Sequence, residues 1–405
     1  MDSKGPGKVN ILIVKLSAIG DVVHTLPALA ALRELYPEAD ITWVVEESSS
    51  DIIKNHPYLN RVIISRRKQW VADLKQLHNA GKTIAEIRSF IAAIREIKYD
   101  LVIDFHGLFK SSIVVLLSGG KRKLGYDSMQ ELSGLFLSEK IFEDMDKHAV
   151  DRYLDFIRYL GADIDDFVKN HKLANLSFPR KRESSNYKQL WIPDQVGNDK
   201  TTEIRTFYET INTDNPEFYI PIEEENRTRV KALLKANGID INESFVAINP
   251  VAFWDTKLWE DDKFARLCDR ITEELEYKVV FTGSKGHGSI ECIRSMMTVP
   301  SINLEGQTTL RDLAYLYSLS GLLITTDSGP MHIAAAMNTP TVALFGPTDP
   351  SRTGPYGKGH IVVRKEMPCS PCFLKKCDTK RCMKEIGVDE VFEAVKEVIN
   401  QISHN

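Results

Sequence analysis

The feature that most constrains the fold of this chain is the alternation of short apolar runs with longer stretches of helical period. The first apolar run, Ile11 to Val14, is followed by a tight loop and by a helical stretch at 22–35. Further runs of strand length occur at 41–45, 61–64 and 101–104. Strands that alternate with helices predict βαβ units and a parallel sheet.

The same alternation resumes in the second half of the chain. Strand-like runs occur at 245–249, 278–282, 322–326 and 341–345, and helical stretches at 263–275, 310–318, 329–337 and 388–402. A single hydrophobic core rarely grows to 405 residues. We therefore expect an α/β protein of two doubly wound halves that face each other across a cleft, with ligands at the carboxyl ends of the strands.

Between the two halves the pattern breaks. A helical stretch at 149–160 is predicted to end at Gly161, and residues 176–206 are then polar, aperiodic and rich in breakers. This stretch resembles the translated product of a dispersed bacterial palindromic repeat, which indicates an inserted surface loop without function. The expected domains are thus 1–175 and 241–405, joined by a linker at 176–240 that contains the insertion.

Charge and hydropathy narrow the possible partners. The formal net charge is −4, which gives no reason to expect nucleic-acid binding. No apolar run is long enough to cross a bilayer, and Ile11 to Val14 is too short for the core of a signal peptide. We expect a cytoplasmic protein, and contact with a membrane surface stays open.

A carboxylate follows the first strand. Asp21 comes directly after Gly20, at the carboxyl edge of the expected sheet and beside a helix start. The helix dipole favours its ionised form, which in a cleft can accept a proton from a hydroxyl nucleophile. The alternative is that Asp21 only caps the helix. Residues 16–21 contain one glycine, so the G-x-G-x-x-G pattern of dehydrogenases is absent.

A second candidate site lies between the strand 322–326 and the next helix. Gly329 would let the backbone approach a ligand, and free N–H groups at the helix start suit a diphosphate. The alternative is that Asp327 or Ser328 caps the helix and that His332 is a packed residue. Lys257 follows the strand 245–249 and could act as a point charge on a phosphate, or be a plain surface lysine.

Four segments together resemble glycosyltransferase family 9, the heptosyltransferases. They are Val14–Pro27, Asp104–Ser111, the loop with Lys257, and Thr326–Ala336 with its continuation Phe345–Asp349. The resemblance implies the GT-B fold of two Rossmann-like domains, and inverting transfer of heptose from ADP-heptose in synthesis of the lipopolysaccharide inner core, with no required cofactor. The stretches 43–47, 66–70 and 147–152 are most similar to the heptosyltransferase I branch, which acts on the Kdo sugar of Kdo2-lipid A.

The resemblance also implies that the domain 1–175 binds the acceptor and the domain 241–405 binds the ADP-sugar, and it implies roles for single residues. Asp21 corresponds to the general base, and Lys257 to the residue that contacts the donor phosphate. The donor-binding positions are Thr326, Asp327, Ser328, Gly329 and His332. The acceptor-side positions are Arg66, Arg67, Lys68, His148 and Arg152. Clustered cations suit the anionic lipid A and Kdo, although a run of charges is also typical of a solvated surface.

The cysteines raise a separate question. Cys268 and Cys292 lie alone in helical segments, and we expect both to be core thiols. The other four, Cys369, Cys372, Cys377 and Cys382, lie in one short stretch that is similar to a cluster in other branches of the family, including those of heptosyltransferase II type. The spacings are tight for a standard zinc site, so we predict a structural thiol cluster and no metal.

Three alternatives to transfer onto Kdo stay open at this point. The acceptor could be a heptose of a heptosylated inner core. A sugar-nucleotide epimerase of similar twin-domain layout would need no saccharide acceptor. A degraded copy could bind the nucleotide without catalysis. The expected partners are ADP-heptose, a lipid A acceptor and the inner-membrane surface.

Overall fold

The computed structural model describes residues 8–76, 80–128, 133–171, 216–286 and 288–403. Within them lie two six-stranded sheets, in each of which all neighbouring strands pair in parallel. The predicted insertion at 176–206 lies outside the described residues, as does the boundary at 175.

The first sheet occupies the N-terminal half. Its strands are β1 (Asn10–Val14), β2 (Asp40–Glu46), β3 (Arg61–Ser65), β4 (Leu101–Asp104), β5 (Arg122–Tyr126) and β6 (Glu139–Ile141), in the order β3-β2-β1-β4-β5-β6. The helices are α1 (Ile19–Leu35), α2 (Glu47–Ser50), α3 (Arg67–Lys75), α4 (Ala80–Arg95), α5 (Phe109–Ser118) and α6 (Ala149–His171), with a 3₁₀ helix at Ser133–Phe136. Apolar residues fill β1 and β4 because helices cover both faces of a parallel sheet.

The second sheet has the strands β7 (Phe245–Asn249), β8 (Lys278–Phe281), β9 (Ile302–Asn303), β10 (Leu322–Thr326), β11 (Thr341–Phe345) and β12 (His360–Arg364), in the order β12-β11-β10-β7-β8-β9. Its helices are α7 (Glu224–Ala236), α8 (Asp261–Leu275), α9 (Ser289–Met296), α10 (Leu310–Leu319), α11 (Gly329–Ala336), α12 (Pro350–Thr353), α13 (Arg381–Lys384) and α14 (Val388–Ser403), with a 3₁₀ helix at Asp255–Lys257.

The helix α6 shows where the sequence-based prediction was wrong. We expected it to end at Gly161, but it continues to His171. Position 161 is buried inside the helix. A glycine can occupy a helix interior for about 1 kcal/mol relative to alanine, a cost that tertiary packing readily offsets. Gly161 is therefore a small buried residue, and it does not cap the helix.

The helix α1 connects the two halves. It packs against α6 of its own half and against α11 of the other half. Nearly every residue from Val22 to Leu32 is buried, and one apolar cluster runs from β1 and α1 to residues of α10 and α11. A helix that is apolar on all sides needs cover on all sides, and here the second half supplies part of it.

Two further helices pack on the second half. The helix α7 contacts α10, and Arg229 of α7 holds the buried Asp312 through both carboxylate oxygens. The final helix α14 packs on α8, β11 and β12. Residues 224–236, which the sequence placed in the linker, thus pack with the C-terminal half, and the domain boundaries stay a proposal.

The two isolated cysteines differ. Cys268 is buried in α8 within the apolar cluster of the second half, as expected. Cys292 is exposed, so the prediction of a core thiol was wrong for it. The helix α9 buries Ile290 and Ile293, and residue 292 lies on the other side of the helix. No helix in the described part of the chain has the length and apolar character needed to span a membrane.

Candidate active site

The site lies where the strand order reverses in both sheets. In the first sheet the reversal falls between β1 and β4, and in the second between β7 and β10. The loops after these four strands carry the four segments singled out in the sequence. Open parallel sheets bind ligands at such switch points, because the loops diverge there and leave a crevice.

Asp21 is the third residue of α1, and Ala18 is the residue that precedes the helix. The Ala18 N–H donates to Asp21 Oδ2 at 2.9 Å, so the carboxylate does cap the helix, although from its third residue. The side chain nevertheless keeps 42% of its surface exposed. The capping interpretation and the base interpretation are thus compatible, since one oxygen accepts from the backbone while the group stays open to solvent.

A buried lysine lies behind Asp21. The Lys15 ammonium, directly after β1, donates to the Phe105 carbonyl at 3.0 Å and to the Tyr153 hydroxyl at 2.5 Å. It lies 4.0 Å from Asp21 Oδ1. Burial lowers the pKa of Lys15, and the neighbouring carboxylates Asp21 and Asp104 oppose that shift. The Lys15 ammonium thus lies at the limit of ion-pair distance from the Asp21 carboxylate.

The loops of each half form one lip of the cleft. On the lip formed by the N-terminal half, three cations surround a buried glutamate. Glu46, at the end of β2, lies 3.3 Å from Arg67 Nη2, 3.3 Å from Lys68 Nζ and 3.4 Å from Lys110 Nζ. Although burial acts to raise it, Lys110 and Lys68 hold the pKa of Glu46 below its usual value. The group carries a net positive charge. Arg66 stands apart from it and pairs with the exposed Glu47 at 2.9 Å.

On the opposite lip, Lys257 is fixed by a buried carboxylate. Its Nζ lies 2.5 Å from Asp327 Oδ2 and over the Trp254 ring at 4.6 Å. The Thr348 hydroxyl donates to the same oxygen of Asp327 at 2.6 Å. Asp327 is 5% exposed, so it orients Lys257 and is closed to a ligand. The lysine is therefore no ordinary surface residue.

The loop after β10 leads into α11. Ser328 precedes the helix, and its hydroxyl lies 3.3 Å from the Thr325 hydroxyl. Thr326 is fully buried, and its hydroxyl has no partner among the described residues. A Cβ on Gly329 would lie 3.1 Å from Ile19 Cβ. We had expected this glycine to admit a ligand, but the space beside it is filled by the first turn of α1.

Three histidines meet between the halves. The rings of His24 in α1 and His332 in α11 are 4.2 Å apart, and His148 lies 5.0 Å from His24. Burial lowers the pKa of His332 to about 4 and that of His24 well below its usual value. Among the described residues, neither ring nitrogen of His24 has a hydrogen-bond partner. All three rings are therefore neutral at physiological pH.

His148 and Arg152, predicted on the acceptor side, are held by protein groups. His148 Nδ1 accepts from the Val150 N–H, so Nε2 carries the proton and donates to the Gly354 carbonyl of the other half at 3.1 Å. Arg152 is buried and donates to Glu143 at 2.5 Å. Their places in the structure are those of packed, paired residues. Their acceptor role stays a prediction.

The four clustered cysteines lie after β12. Cys369 is exposed, Cys372 and Cys377 are half-buried in the loop between β12 and α13, and Cys382 is half-buried in α13. Burial and the nearby Cys372 raise the pKa of Cys382. In the described part of the chain, no three His, Cys, Asp or Glu side chains are grouped so that they could hold a metal ion.

Three charged residues of the site escaped sequence analysis: Lys15, Glu46 and Lys110. Lys110 falls within the segment Asp104–Ser111, which sequence analysis did single out, so its position was available as a signal. Lys110 Nζ donates to the Ser17 hydroxyl at 2.7 Å and thereby ties the loop after β4 to the loop after β1. Lys15 and Glu46 also fall within stretches that sequence analysis singled out, 14–27 and 43–47, but at the ends of apolar strands they resemble ordinary strand ends, and only their burial sets them apart.

His332 links the two lips. Its electrostatic environment includes Asp21 of the first half and Lys257 of the second. A Cβ on Gly20 would lie 2.2 Å from His332 Cδ2, so the two helix starts are in direct contact. The carboxylate and the lysine predicted from sequence thus flank one point between the domains.

The chain is similar over most of its length to known glycosyltransferases. The family model of glycosyltransferase family 9 (heptosyltransferase) matches residues 87–383. The lipopolysaccharide heptosyltransferase 1 of Pseudomonas aeruginosa is 26% identical over 377 residues, which cover 91% of this chain and 87% of that protein.

Solved structures show the same architecture. A glycosyl transferase family 9 protein from Veillonella parvula matches with a TM-score of 0.73 at 21% identity, covering 99% of this chain and 100% of that one. The E. coli heptosyltransferase WaaC with ADP matches with a TM-score of 0.64 at 22% identity, covering 96% and 100%. The fold is therefore GT-B, as predicted, with two Rossmann-like domains and a cleft between them.

Proposed function

The chain belongs to glycosyltransferase family 9, the heptosyltransferases of lipopolysaccharide core synthesis, and we propose that it transfers heptose from ADP-L-glycero-β-D-manno-heptose to the Kdo sugar of Kdo2-lipid A. Family membership makes it a glycosyltransferase, which disfavours the epimerase and the non-catalytic alternatives. The similarity to a heptosyltransferase 1 over most of both chains supports Kdo as the acceptor sugar.

The observation that carries the proposal is the contact between the two helix starts: Gly20, beside Asp21, meets His332, and Asp327, just before the helix of His332, holds Lys257. A transferase needs a base on the acceptor side and a positive group beside the leaving diphosphate. Asp21 is an exposed carboxylate with a buried lysine behind it, and Lys257 is a cation fixed by a buried carboxylate. The pair supplies both functions from two domains.

The donor is proposed to bind against the C-terminal half. Its diphosphate would meet the Lys257 ammonium and the backbone N–H groups at the start of α11, where Ser328 adds a hydroxyl. Thr326 and Asp327 shape this loop, and Asp327 holds the lysine in place. A solved structure of the same fold, the E. coli heptosyltransferase WaaC with ADP, supports an adenine nucleotide as part of the donor.

The acceptor is proposed to bind against the N-terminal half. Arg67, Lys68 and Lys110 surround one buried carboxylate, so two of their three positive charges are left for an anionic saccharide. Arg66 extends this positive surface, although its pairing with Glu47 reduces its contribution.

The reaction follows from these positions. Asp21 removes the proton from the acceptor hydroxyl as the hydroxyl oxygen attacks the anomeric carbon of the heptose. The bond from that carbon to the diphosphate breaks on the opposite face, and ADP leaves with the bonding pair. One displacement inverts the anomeric configuration. Fixed donors at Lys257 and the helix start stabilise the charge that develops on the diphosphate.

A second acceptor is a heptose of the inner core, because the stretch from Cys369 to Cys382 resembles members of heptosyltransferase II type. In either case the acceptor is carried on a lipid, and the protein is proposed to work at the cytoplasmic face of the inner membrane. The domain boundaries at 175 and 240 are part of the same proposal.

The test is a donor-consumption assay with purified full-length protein and ADP-heptose. We expect release of ADP that depends on Kdo2-lipid A, with a product one heptose heavier by mass spectrometry. Release that requires a heptosylated acceptor would replace Kdo by heptose as the substrate. Conversion of the sugar nucleotide without any acceptor, or binding without turnover, would overturn transfer.

A further inference from the structure

The loop between β12 and α13 packs against the loops that hold Lys257. Its residues 367–380 are irregular in structure, apart from an isolated bridge between Met367 and Ser370. Long irregular segments inside a compact domain usually have a function of their own. This one carries three of the four clustered cysteines, and its contacts fix it against the second half. We call residues 367–380 the strap.

The first anchor of the strap is the loop that follows β11. The Ser370 hydroxyl donates to the Gly346 carbonyl at 2.6 Å. The Phe373 N–H donates to the Pro347 carbonyl at 2.8 Å. Both carbonyls belong to the two residues directly before Thr348, so the strap fixes the backbone from which the Thr348 side chain extends.

The second anchor is the short 3₁₀ helix that ends at Lys257. The Thr256 hydroxyl donates to the Leu374 carbonyl of the strap at 2.7 Å. Threonine hydroxyls usually bond to backbone groups close by in sequence, whereas this one reaches a distant segment of the chain. Beside it, Asp255 pairs with Lys380 at the end of the strap, at 2.6 Å.

A third contact involves the ring that lies under the Lys257 ammonium. Lys257 Nζ is 4.6 Å from the centre of the Trp254 ring, and Nζ of Lys375 in the strap is 5.3 Å from the same centre. Both distances are those of cation–π contacts. Trp254, Asp255 and Thr256, the three residues that precede Lys257, therefore each contact the strap.

The two anchors meet at the Lys257 side chain. Thr348 donates to the Asp327 oxygen that lies 2.5 Å from Lys257 Nζ, and Thr256 directly precedes Lys257 in the chain. The backbone of the lysine and the carboxylate that holds its ammonium are thus both tied to the strap. Such ties matter in a site, where a displacement of about 1 Å can reduce the rate roughly 10²-fold.

We propose that the strap positions Lys257 for the diphosphate of the donor, and that Thr256 is the positioning residue through which it acts. The proposal rests on the proposed function, in which the Lys257 ammonium meets that diphosphate. Thr256 is 1% exposed and its hydroxyl is engaged by the strap, so it acts through its neighbour and does not touch the donor.

The experiment is calorimetric titration of the full-length protein with ADP and with adenosine, which lacks the diphosphate. Thr256→Val keeps the shape of the side chain and removes the hydroxyl. It should weaken ADP binding by about tenfold and leave adenosine binding within about twofold, because only the diphosphate meets Lys257. Thr256→Ser keeps the hydroxyl and should bind ADP as the wild type does. Ser370→Ala loosens the strap at its first anchor and should weaken the binding of ADP but not of adenosine.

The matched control is Thr339→Val. Thr339 is 3% exposed, and its hydroxyl donates to the Tyr317 carbonyl at 2.8 Å. It precedes β11 and so lies at the end of the sheet away from the site. The control should lose a similar free energy of unfolding in urea and bind ADP normally. Equal weakening of ADP binding in both valine variants, equal losses for ADP and adenosine in Thr256→Val, or unchanged ADP binding in Thr256→Val would each overturn the role of the strap.

A double-mutant cycle tests whether the effect passes through Lys257. In the Lys257→Met/Asp327→Asn background, Thr256→Val should weaken ADP binding no further, because the group that it positions is gone. A further loss of similar size would mean that Thr256 acts elsewhere, and would overturn the proposal. A wild type that binds ADP but transfers no heptose would overturn the proposed function, whereas the same ADP titrations would still decide the role of the strap.

Discussion

At the scale of single residues, the site consists of charges that are anchored by buried partners and exposed toward the cleft. Lys15 lies buried behind Asp21, and Asp327 lies buried behind Lys257. In each pair the buried charge holds the exposed one in place. Fixed charges of this kind need little reorganisation during a reaction, which is how proteins stabilise developing charge efficiently.

The assignment of Asp21 as the base can be tested without disturbing the helix. In Asp21→Asn, the amide oxygen can still accept from the Ala18 N–H, whereas the side chain can no longer take up a proton. Turnover should fall by roughly 10² to 10⁴-fold, while ADP-heptose affinity stays unchanged. The free energy of unfolding should decrease only slightly, because the buried Lys15 loses one neighbouring carboxylate but keeps its hydrogen bonds. Steady-state kinetics measure turnover, calorimetric titration with ADP-heptose measures its affinity, and urea unfolding measures the free energy of unfolding. Near-normal turnover would leave Asp21 as a helix cap only.

The role of Lys257 needs a double substitution, because its removal leaves Asp327 buried and unpaired. Lys257→Met should lower both the free energy of unfolding and kcat/KM. Lys257→Met/Asp327→Asn removes both charges, so stability should recover, while kcat/KM should stay lower by roughly 10² to 10³-fold. Urea unfolding and ADP release measure the two effects. If kcat/KM returned together with stability, Lys257 would be a structural partner of Asp327.

How far the sequence predicts single residues depends on whether their role is visible along the chain. Asp21 and Lys257 follow strands in recognisable loops, and the structure brings them to one cleft. Glu46 and Lys15 could not be predicted, because their importance comes from burial beside groups that are distant in sequence. For His148 and Arg152 the sequence predicted a role in acceptor binding, whereas in the structure both are buried and paired with Gly354 and Glu143.

At the scale of elements, the decisive contact is between the first turns of α1 and α11. Gly20→Ala would place a methyl group 2.2 Å from His332 Cδ2, so we expect the two helix starts to separate. Overpacking of this kind costs about 1–3 kcal/mol of unfolding free energy, and turnover should fall as Asp21 moves away from the donor side. Urea unfolding and steady-state kinetics measure both changes.

The chain provides a matched control for this substitution. Gly81 is also the second residue of a helix, α4, and an added Cβ would meet nothing within 4 Å. Gly81→Ala should leave turnover unchanged and raise the free energy of unfolding by about 0.5–1 kcal/mol, because alanine favours the helix. Equal behaviour of the two variants would show that the contact between α1 and α11 is not tight in solution.

The histidines of the same contact predict a response to acid. Burial depresses the pKa of His332 from the usual 6.5 to about 4, so the folded state binds its proton less readily than the unfolded state. The resulting stability is present above about pH 6.5 and is lost as pH falls toward 4. His332 alone should account for roughly 2 kcal/mol by about pH 5. The free energy of unfolding, measured with urea above about pH 6.5 and at about pH 5, should decrease less for His332→Gln than for the wild type.

The elements themselves were predictable where period and burial agree. The strands β4, β7, β10 and β11 have the predicted limits, because a continuous apolar run of four or five residues fits a strand with both faces covered. The strands β5, β6, β9 and β12 were missed, because each has at most three buried positions and polar residues interrupt its apolar run. The length of α6 was misjudged because a buried glycine looks the same in sequence as a cap.

At the scale of the whole molecule, the alternation of strands and helices predicts two Rossmann-like halves but not how they meet. The contact depends on two glycines, a shared apolar cluster and polar links such as Arg311 to Asp51 at 3.2 Å. Each joins residues far apart in the chain, so no local pattern reports it.

The last prediction concerns residues 178–205, within the breaker-rich stretch between the two halves. Their polar, aperiodic composition offers no apolar face that either half could bury. Shortening a long connection changes the entropy of loop closure only slightly, by about 0.6 kcal/mol for a twofold change in length. Deletion of 178–205 should therefore leave kcat/KM within about twofold and the unfolding midpoint nearly unchanged. A variant of full length with the same residues in scrambled order separates sequence from length. If deletion abolished turnover while the scrambled variant stayed active, the stretch would act as a spacer between the domains. If both lost turnover with unfolding unchanged, its sequence would belong to the working enzyme, because only specific contacts are sensitive to order.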